Sequence, residues 1–408
     1  MAKAATRSTA LWVVRRLRRA GHQALLAGGC VRDMLLGRRV ADYDVATDAT
    51  PRQVKRLFPH VLLIGAKFGV AMVIRQSRQV EVATFRSDLS YSDGRRPDGV
   101  RFASPREDAI RRDFTINGMF YDPLAGEVID YVGGREDLAA EVIRTIGRAD
   151  ERFAEDYLRM LRAVRFAVRL GFAIEPLTAA AIRAHAHKIV AISGERIFDE
   201  LSKMLGVPSA ARALEGMDEL GLLRRVLPEL CETAGLASAA RQRVGHVARR
   251  RDRTLALAAL LTDLPRGAIG SMIRRWGAPN RLRDALQWMA AHADDWRDVA
   301  EMSLAEFRRL AGHEQFDRLR VLWRLREAAE CGSRRCARRT ARRLGEIPGG
   351  KALPEPFVTG ADLLAMHVPE GPLLGKVLRQ AYDAQLNLHL RSRKQALAWA
   401  QSRIPPSR

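Results

Sequence analysis

Strand-like patterning is confined to the first third of this 408-residue chain. Short apolar, β-branched runs at residues 23–27, 43–46, 61–64, 70–75 and 79–85 read as strands. They alternate with helix signals at 9–20, at 30–36 and at a segment opened by Thr50 and Pro51, residue types favoured at a helix cap and first turn. Residues 86–104 are polar and rich in Gly, Asp and Arg, so they read as a loop, and 108–119 returns to helix. After about residue 147 only the helical period remains, at 154–170, 177–191, 193–205, 209–220, 254–261, 281–291, 304–311 and 314–331. A Gly/Pro-rich break at 347–356 precedes a last helical piece, 360–401. This switch predicts an α+β chain. Its head is a small mixed β-sheet flanked by helices, and an all-α neck, body and tail follow. The length is too great for one compact core.

Hydrophobic residues make up 47% of the chain and aromatics only 6%, which favours Leu/Ala/Val helix packing over an aromatic β-sandwich core. Lys and Arg number 69 against 47 Asp and Glu, a net charge of +22. An arginine-favouring genome would give such an excess, and so would a polyanionic partner. Cys30, Cys231, Cys331 and Cys336 are scattered, with no second pair to make Cys331 and Cys336 a zinc site. The apolar stretch 11–14 runs straight into Arg15, Arg16, Arg18 and Arg19, too short for a signal peptide, and no apolar run reaches membrane-spanning length. These features predict a cytoplasmic protein with reduced thiols, no membrane association and no evident obligate protein partner.

Chemistry concentrates at Leu26-Ala-Gly-Gly-Cys-Val-Arg-Asp-Met-Leu-Leu-Gly37 followed by Asp42-Tyr-Asp44. Gly28 and Gly29 let backbone approach a ligand at a helix start, where free N–H groups favour a phosphate, and Arg32 lies one turn further. Asp42 and Asp44, two apart on a strand-like run, point to one face. Two such carboxylates repel each other, and a divalent cation shared with triphosphate oxygens relieves the repulsion. Two such Mg²⁺ ions could activate an RNA 3′-hydroxyl and stabilise leaving pyrophosphate. Glu81 lies between core-facing Val80 and Val82, so it points to the open face, either completing the metal cluster or standing as a solvated strand carboxylate.

Gly28-Gly-Cys-Val-Arg-Asp-Met-Leu-Leu-Gly37 with Asp42-Tyr-Asp-Val-Ala-Thr47 resembles the head signature of the class II tRNA nucleotidyltransferases, the CCA-adding enzymes and bacterial poly(A) polymerases. Ile64-Gly-Ala-Lys-Phe-Gly-Val70, Gly94-Arg-Arg-Pro-Asp98, Arg111-Arg-Asp-Phe-Thr-Ile-Asn117, Tyr131-Val-Gly-Gly-Arg-Glu-Asp-Leu138 and Arg152-Phe-Ala-Glu-Asp-Tyr-Leu-Arg-Met-Leu-Arg-Ala-Val-Arg-Phe166 follow in order. The resemblance implies a catalytic head over 1–146, a nucleotide-selecting neck over 147–206, an RNA-binding body over 207–346 and a tail over 347–408. It implies CTP, ATP and tRNA as substrates. Arg112 matches the family's nucleotide-contacting arginine. Asp113 next to it could equally be an arginine's partner, and Asn117 a helix-terminal hydrogen-bonding group.

Asp156 and Arg159 are three apart in a helical pattern, one acceptor-only and one donor-only. Together they match the edge of cytosine or adenine and clash with uracil or guanine, and the resemblance assigns them that selecting role. Arg162 and Arg165 continue the spacing, as nucleotide contacts in the family or as ion-pair partners holding the neck. Arg334, Arg335, Arg338, Arg339, Arg342 and Arg343 could face tRNA phosphates or simply solvent.

Three departures from the family stand out. Thr262 replaces the histidine of a His-Asp phosphohydrolase pair, Tyr157 a commoner proline, and Gly118 an alanine, the last at a cost in backbone flexibility alone. The loop at 86–101 argues against a CC-adding relative, and Ala66-Lys67-Phe68 with a short C-terminus leans away from poly(A) polymerase. An A-adding enzyme and a catalytically inactive RNA-binding protein are the remaining alternatives.

Overall fold

The computed structural model describes residues 5–63, 69–88 and 99–404. The motif stretch 64–68, the Gly94–Asp98 motif, most of the expected loop and residues 405–408 lie outside the described residues. The chain forms two compact units, one of residues 1–253 with 274–278, the other of 254–273 with 279–408.

The first unit opens with α1 (Arg7–Arg19), β1 (Ala24–Ala27), α2 (Gly29–Leu35) and β2 (Asp44–Thr47), then α3 (Pro51–Leu57), β3 (Val61–Leu62), β4 (Val70–Arg75) and β5 (Arg78–Thr84). Thr50 and Gln53 close a full capping box around Pro51, which is why α3 starts where the sequence indicates. β6 (Arg86–Asp88), β7 (Val100–Phe102), α4 (Pro105–Ile110), β8 (Phe120–Asp122), β9 (Glu127–Ile129), α5 (Gly134–Ala139) and β10 (Val142–Ile143) follow. The seven-stranded sheet runs β3-β4-β5-β2-β1-β8-β9, with β2 and β5 parallel and every other neighbouring pair antiparallel. α1 and α3 pack on one face through Val13, Val14, Leu17 and Val54, all fully buried. Val80 and Val82 alternate with exposed Glu81 along β5, which directs Glu81 to the other face.

Then come α6 (Ala149–Glu155), α7 (Leu158–Leu170), β11 (Ala173–Ile174), α8 (Pro176–His185) and α9 (Gly194–Leu205). Gly194 lies against backbone, and a Cβ there would fall 1.8 Å from the Arg275 carbonyl oxygen. Gly194→Ala should therefore cost about 3 kcal/mol through forced displacement. Thermal unfolding checks this, and an unchanged Tm would refute the packing argument.

Several expectations need correction. The ends of the predicted loop 86–104 pair as the antiparallel β6–β7 ribbon. The predicted helix 108–119 is two pieces: Ser104 and Glu107 form a capping box that starts α4 earlier, and after Arg111 the chain turns into a 3₁₀ segment, Thr115–Asn117. Strand structure does not stop at 147, because Ala173–Ile174 pairs in parallel with β10. The predicted helix 154–170 breaks at Asp156, whose φ of −156° and ψ of 101° are extended. The predicted helix 177–191 tightens into 3₁₀ geometry from Ala186.

The second unit is helical, as the periodicity indicates. One core cluster gathers Trp296, Phe307, Phe316, Leu319, Trp323 and Cys336, and another gathers Val358, Leu363, Val377, Ala381 and Leu390. Buried Arg308 donates to the carbonyls of Lys351, Ala352 and Leu386, joining three segments by their backbone. Helix Arg335–Gly345 buries Cys336 and Thr340 and exposes Arg335, Arg338, Arg339 and Arg342. Arg343 instead turns inward to Glu346 and the Met302 carbonyl. All four cysteines are free, and among the described residues no helix is long and apolar enough to cross a membrane.

Candidate active site

Gly28 caps α2 with φ 72° and ψ −130°, a conformation that suits glycine. A Cβ there would also sit 2.9 Å from Arg112 Nη1, so the guanidinium would have to shift. Arg32, one turn on, is 3% exposed. It donates through Nε and Nη2 to Asp33 Oδ1 and through Nη1 to Asn117 Oδ1, at 2.8, 2.6 and 2.6 Å. Asn117 in turn donates to Asp113 Oδ1 at 3.1 Å.

Asp44 opens β2 opposite Ala27 of β1. The parallel register pairs Val45 with Val82, so Asp44 and Glu81 occupy the preceding adjacent positions on one face. Burial raises the Asp44 carboxyl to about 7, with repulsion from Glu81 and then Asp42 adding to it and Arg112 opposing. Glu81 keeps a solvent-facing surface, yet partial desolvation of its carboxyl beside the site and then repulsion from Asp42 raise it as well. Asp42 lies just before the strand and accepts from the Ala5 and Tyr43 N–H groups through Oδ1, both at 2.9 Å. The three carboxylates thus lie close enough to repel one another. Among the described residues no cluster of three acidic, His or Cys side chains encloses an ion by itself.

A cavity of about 520 Å³ is lined by Gly28, Gly29, Arg32, Asp44, Arg112, Asp113, Asn117, Asp156, Arg159, Arg162 and Arg165 together. Those are all ten predicted nucleotide-binding residues plus one of the three predicted catalytic carboxylates, Asp44. Arg86, Arg111 and Arg169 also line it, so eight arginines face three aspartates and the field suits a polyphosphate. Glu81 instead borders an adjoining 250 Å³ cavity with Asp44, Arg86, Arg111 and Arg112, and Asp42 borders neither.

The selecting pair departs from expectation. Asp156 sits in the break between α6 and α7, not on a shared helix face. Its Oδ1 accepts from the Leu158 N–H at 3.1 Å, competing with helical hydrogen bonding, and both oxygens accept from Arg196, at 3.2 and 2.7 Å. Arg159 pairs with Glu155 at 2.6 Å and donates to the Arg152 and Arg111 carbonyls. The two side chains have different partners and share only the lining of the cavity.

Acidic residues that the sequence did not single out hold the arginines. Asp108, 1% exposed, accepts from Arg111, Arg112 and the Arg86 N–H. Glu200, 2% exposed, pairs with Arg165 at 2.5 Å and Lys203 at 3.1 Å, with Arg162 at 3.9 Å. Arg165 is thus an ion-pair partner as well as a cavity residue. Phe166 carries three guanidiniums, those of Arg32, Arg162 and Arg165, 4.2 to 5.4 Å from its ring centre. No local spacing announces these partners.

Asp113 Oδ2 accepts Arg162 Nε and Nη2 at 2.8 and 2.6 Å. Burial alone would raise its carboxyl, but the Arg162 charge and the hydrogen bonds from Asn117 and Arg162 outweigh burial and bring it to about 2. A carboxyl depressed on folding stabilises the protein above its unfolded pKa, near 4, and loses that contribution as pH falls towards 2. Asp113→Asn should flatten the acid limb of stability between about pH 4 and 2, relative to the parent. Unfolding midpoints measured across that window check it, and parallel curves would contradict it.

One departure acquires a physical meaning. A Cβ on Gly118 would lie 2.6 Å from Val132 Cγ2 and 3.0 Å from Ile146 Cδ1, so packing favours glycine here, where the sequence indicates only a cost in backbone flexibility. Thr262 is buried beside Asp263, which pairs with Arg326 at 2.5 Å.

Comparison with known proteins fits this geometry. The family described as Poly A polymerase head domain matches residues 24–144, and that described as probable RNA and SrmB- binding site of polymerase A matches 171–233. The chain is 41% identical over 287 residues to the CCA-adding enzyme of Geobacillus kaustophilus, covering 70% of each chain. It is 34% identical over 391 residues to that of Bacillus licheniformis, covering 95% of this chain and 96% of the other. The crystal structure of the Bacillus stearothermophilus CCA-adding enzyme in complex with CTP superposes with a TM-score of 0.80 at 34% identity, over 97% of this chain and 96% of that one. A Thermotoga maritima CCA-adding enzyme complexed with tRNA shares the fold at a TM-score of 0.65 and 20% identity, over 97% and 94% of the two chains.

Proposed function

We infer the reaction from one premise: the chain belongs to the family of CCA-adding enzymes. It is a tRNA nucleotidyltransferase that adds C, C and A to the 3′ end of tRNA from CTP and ATP, releasing pyrophosphate. The observation that carries this reading is the single cavity uniting a glycine-lined helix start, eight arginines, Asp44 and the Asp156/Arg159 couple. We read the chain functionally as head 1–146, neck 147–206, body 207–346 and tail 347–408.

Asp42 and Asp44 are the proposed metal ligands, with Glu81 beside them. Their donor set fits Mg²⁺: all are hard oxygens, their mutual repulsion falls on Asp44, and triphosphate oxygens would complete the shell. Mg²⁺ bound there supplies charge neutralisation at the attacking 3′-hydroxyl and the leaving pyrophosphate. Gly28 and Gly29 present backbone to the phosphates, while Arg32 and Arg112, held by Asp33 and Asp108, supply fixed positive charge. Asp113 and Asn117 hold Arg162 and Arg32 in place. Asp156 and Arg159 read the base edge, with Arg162 and Arg165 beside them.

The test is extension of labelled tRNA lacking its terminal CCA, with CTP and ATP. Two C and one A followed by arrest are expected. Addition of A only to tRNA already ending in CC, or an unbounded A ladder, would replace this reading with A addition or poly(A) synthesis. In the same assay Asp156→Ala should lower the preference for CTP over UTP by about 10- to 100-fold in kcat/KM, the worth of one lost bidentate base contact. A ratio equal to the parent's would remove Asp156 from base reading.

A further inference from the structure

The sheet face opposite Asp44 and Glu81 is covered by α1 and α3, whose outer surface the catalytic reading does not use. Arg15, Arg16 and Arg19 project from α1 and Lys55 and Arg56 from α3, all exposed, and Arg75 stands at the adjoining end of β4. Neither helix contains a single Asp or Glu. Among the described residues none of these six cations forms an ion pair with a carboxylate. Several arginines of this unit that flank the catalytic side are by contrast paired: Arg18 with Asp122, Arg112 with Asp108, Arg162 with Asp113, Arg165 with Glu200. On this face six cations thus stand together with no acidic residue on either helix.

The patch is also built rigidly. The Arg75 guanidinium lies 4.3 Å from the Trp12 ring centre. Arg16 lies over Trp12 and Phe58, at 5.9 and 5.7 Å, and its Nε donates to the Leu57 carbonyl at 2.5 Å, tying α1 to the end of α3. Trp12 and Phe58 meet edge to face at 5.2 Å. Both helices are thus locked in register, and their cations form one surface.

We infer that this face is a second RNA-binding surface, one that grips the phosphate backbone of an RNA duplex other than the 3′ end being extended. Charge selects the partner class. Five of the six groups are guanidiniums, whose planar fork suits phosphate. A membrane surface would require exposed apolar side chains to insert, but the apolar face of α1 is spent on the sheet, with Ala10, Val13, Val14 and Leu17 fully buried. A protein partner would require an apolar centre, and Trp12 is covered by Arg16 and Arg75. Regular phosphates need neither.

The inference is tested on the full chain carrying Arg15→Gln, Arg19→Gln, Lys55→Gln and Arg56→Gln together. These positions are exposed and leave the Trp12 contacts intact. The probe is a fluorescent blunt RNA duplex of about 20 base pairs with blocked 3′ ends, followed by anisotropy from low to physiological salt. Four lost phosphate contacts should reduce the slope of log Kd against log salt by about 3 and weaken binding at least about tenfold. KM for tRNA in CCA addition should move less than about twofold, and replacement of the three arginines by lysine should retain most of the slope. An unchanged slope and Kd would overturn the proposal. So would a tRNA KM raised as much as the duplex Kd, which would place this face on the path of the extended RNA. Duplex binding that persists while binding to phosphatidylserine vesicles is lost would assign the face to anionic lipid instead. CCA addition by the variant, assayed alongside, reports separately on the catalytic reading.

Discussion

Asp44→Asn is expected to lower kcat for CTP incorporation by about 10³-fold or more, several kcal/mol of transition-state stabilisation, with much less effect on tRNA affinity. Asparagine has nearly the same shape, so the Ala27–Asp44 pairing that starts β2 survives. What disappears is the negative charge that a cation needs. The same substitution carries a second, opposite expectation. The Asp44 carboxyl is raised on folding to about 7, so its charged form is disfavoured in the folded state. Such a group stabilises fully below its unfolded pKa, near 4, and the contribution is lost as pH rises towards 7. In EDTA at pH 8 the variant should thus be more stable than the parent, by about 1–2 kcal/mol once partial solvent screening is allowed for. An inactive but stabilised protein is the signature of a charge kept for function. Retained kcat would remove Asp44 from the catalytic set, and a lower apo Tm would contradict the repulsion argument.

Glu200→Ala is expected to destabilise the first unit by about 3–5 kcal/mol, because a buried charge is removed from beneath Arg165, Lys203 and Arg162 and leaves them uncompensated. For a unit of this size that is a fall in Tm of roughly 10 °C. Burial opposes the Glu200 charge, but Arg165, then Arg162 and Lys203, outweigh it and hold the carboxyl below its ordinary value. Its contribution is therefore present above the unfolded carboxyl pKa and lost as pH falls below it. The difference in Tm between parent and variant should be full at pH 7 and shrink on acidification. Because Arg165 and Arg162 line the same cavity as Asp44, KM for CTP should also rise in the folded variant. A Tm within 2 °C of the parent, roughly 1 kcal/mol or less, would show that the three cations reach solvent instead.

These two residues differ in how they could be recognised. Asp44 was legible because its signal is local: a carboxylate two positions from another, after a Gly-Gly turn, on a strand. Thr50–Pro51 was legible for the same reason, since a cap and a first helical turn lie within four residues. Glu200 had no such signal. Its partner Arg165 is 35 positions away, and the Arg162–Asp113 and Arg196–Asp156 pairs span 49 and 40. Asp156 shows the cost of reading periodicity alone. Apolar spacing continues through it, so a helix was expected, yet its carboxylate satisfies the Leu158 N–H and accepts Arg196 from α9. Local helical preference is worth tenths of a kcal/mol per residue and yields to a charged bidentate contact.

The sequence by itself determined the alternation of strands and helices as far as β5, the division into a mixed head and helical remainder, and the glycine and carboxylate positions around which the cavity forms. These follow from side-chain alternation, capping and steric freedom at glycine, all of which act within a few residues. Tertiary structure alone decided which arginine each buried acid neutralises, where the helix before Arg159 breaks, and which cations remain unpaired on the outer face of α1 and α3. Those outcomes depend on which charges folding buries together, since the energy of a charge is set by its neighbours in space and by its distance from water.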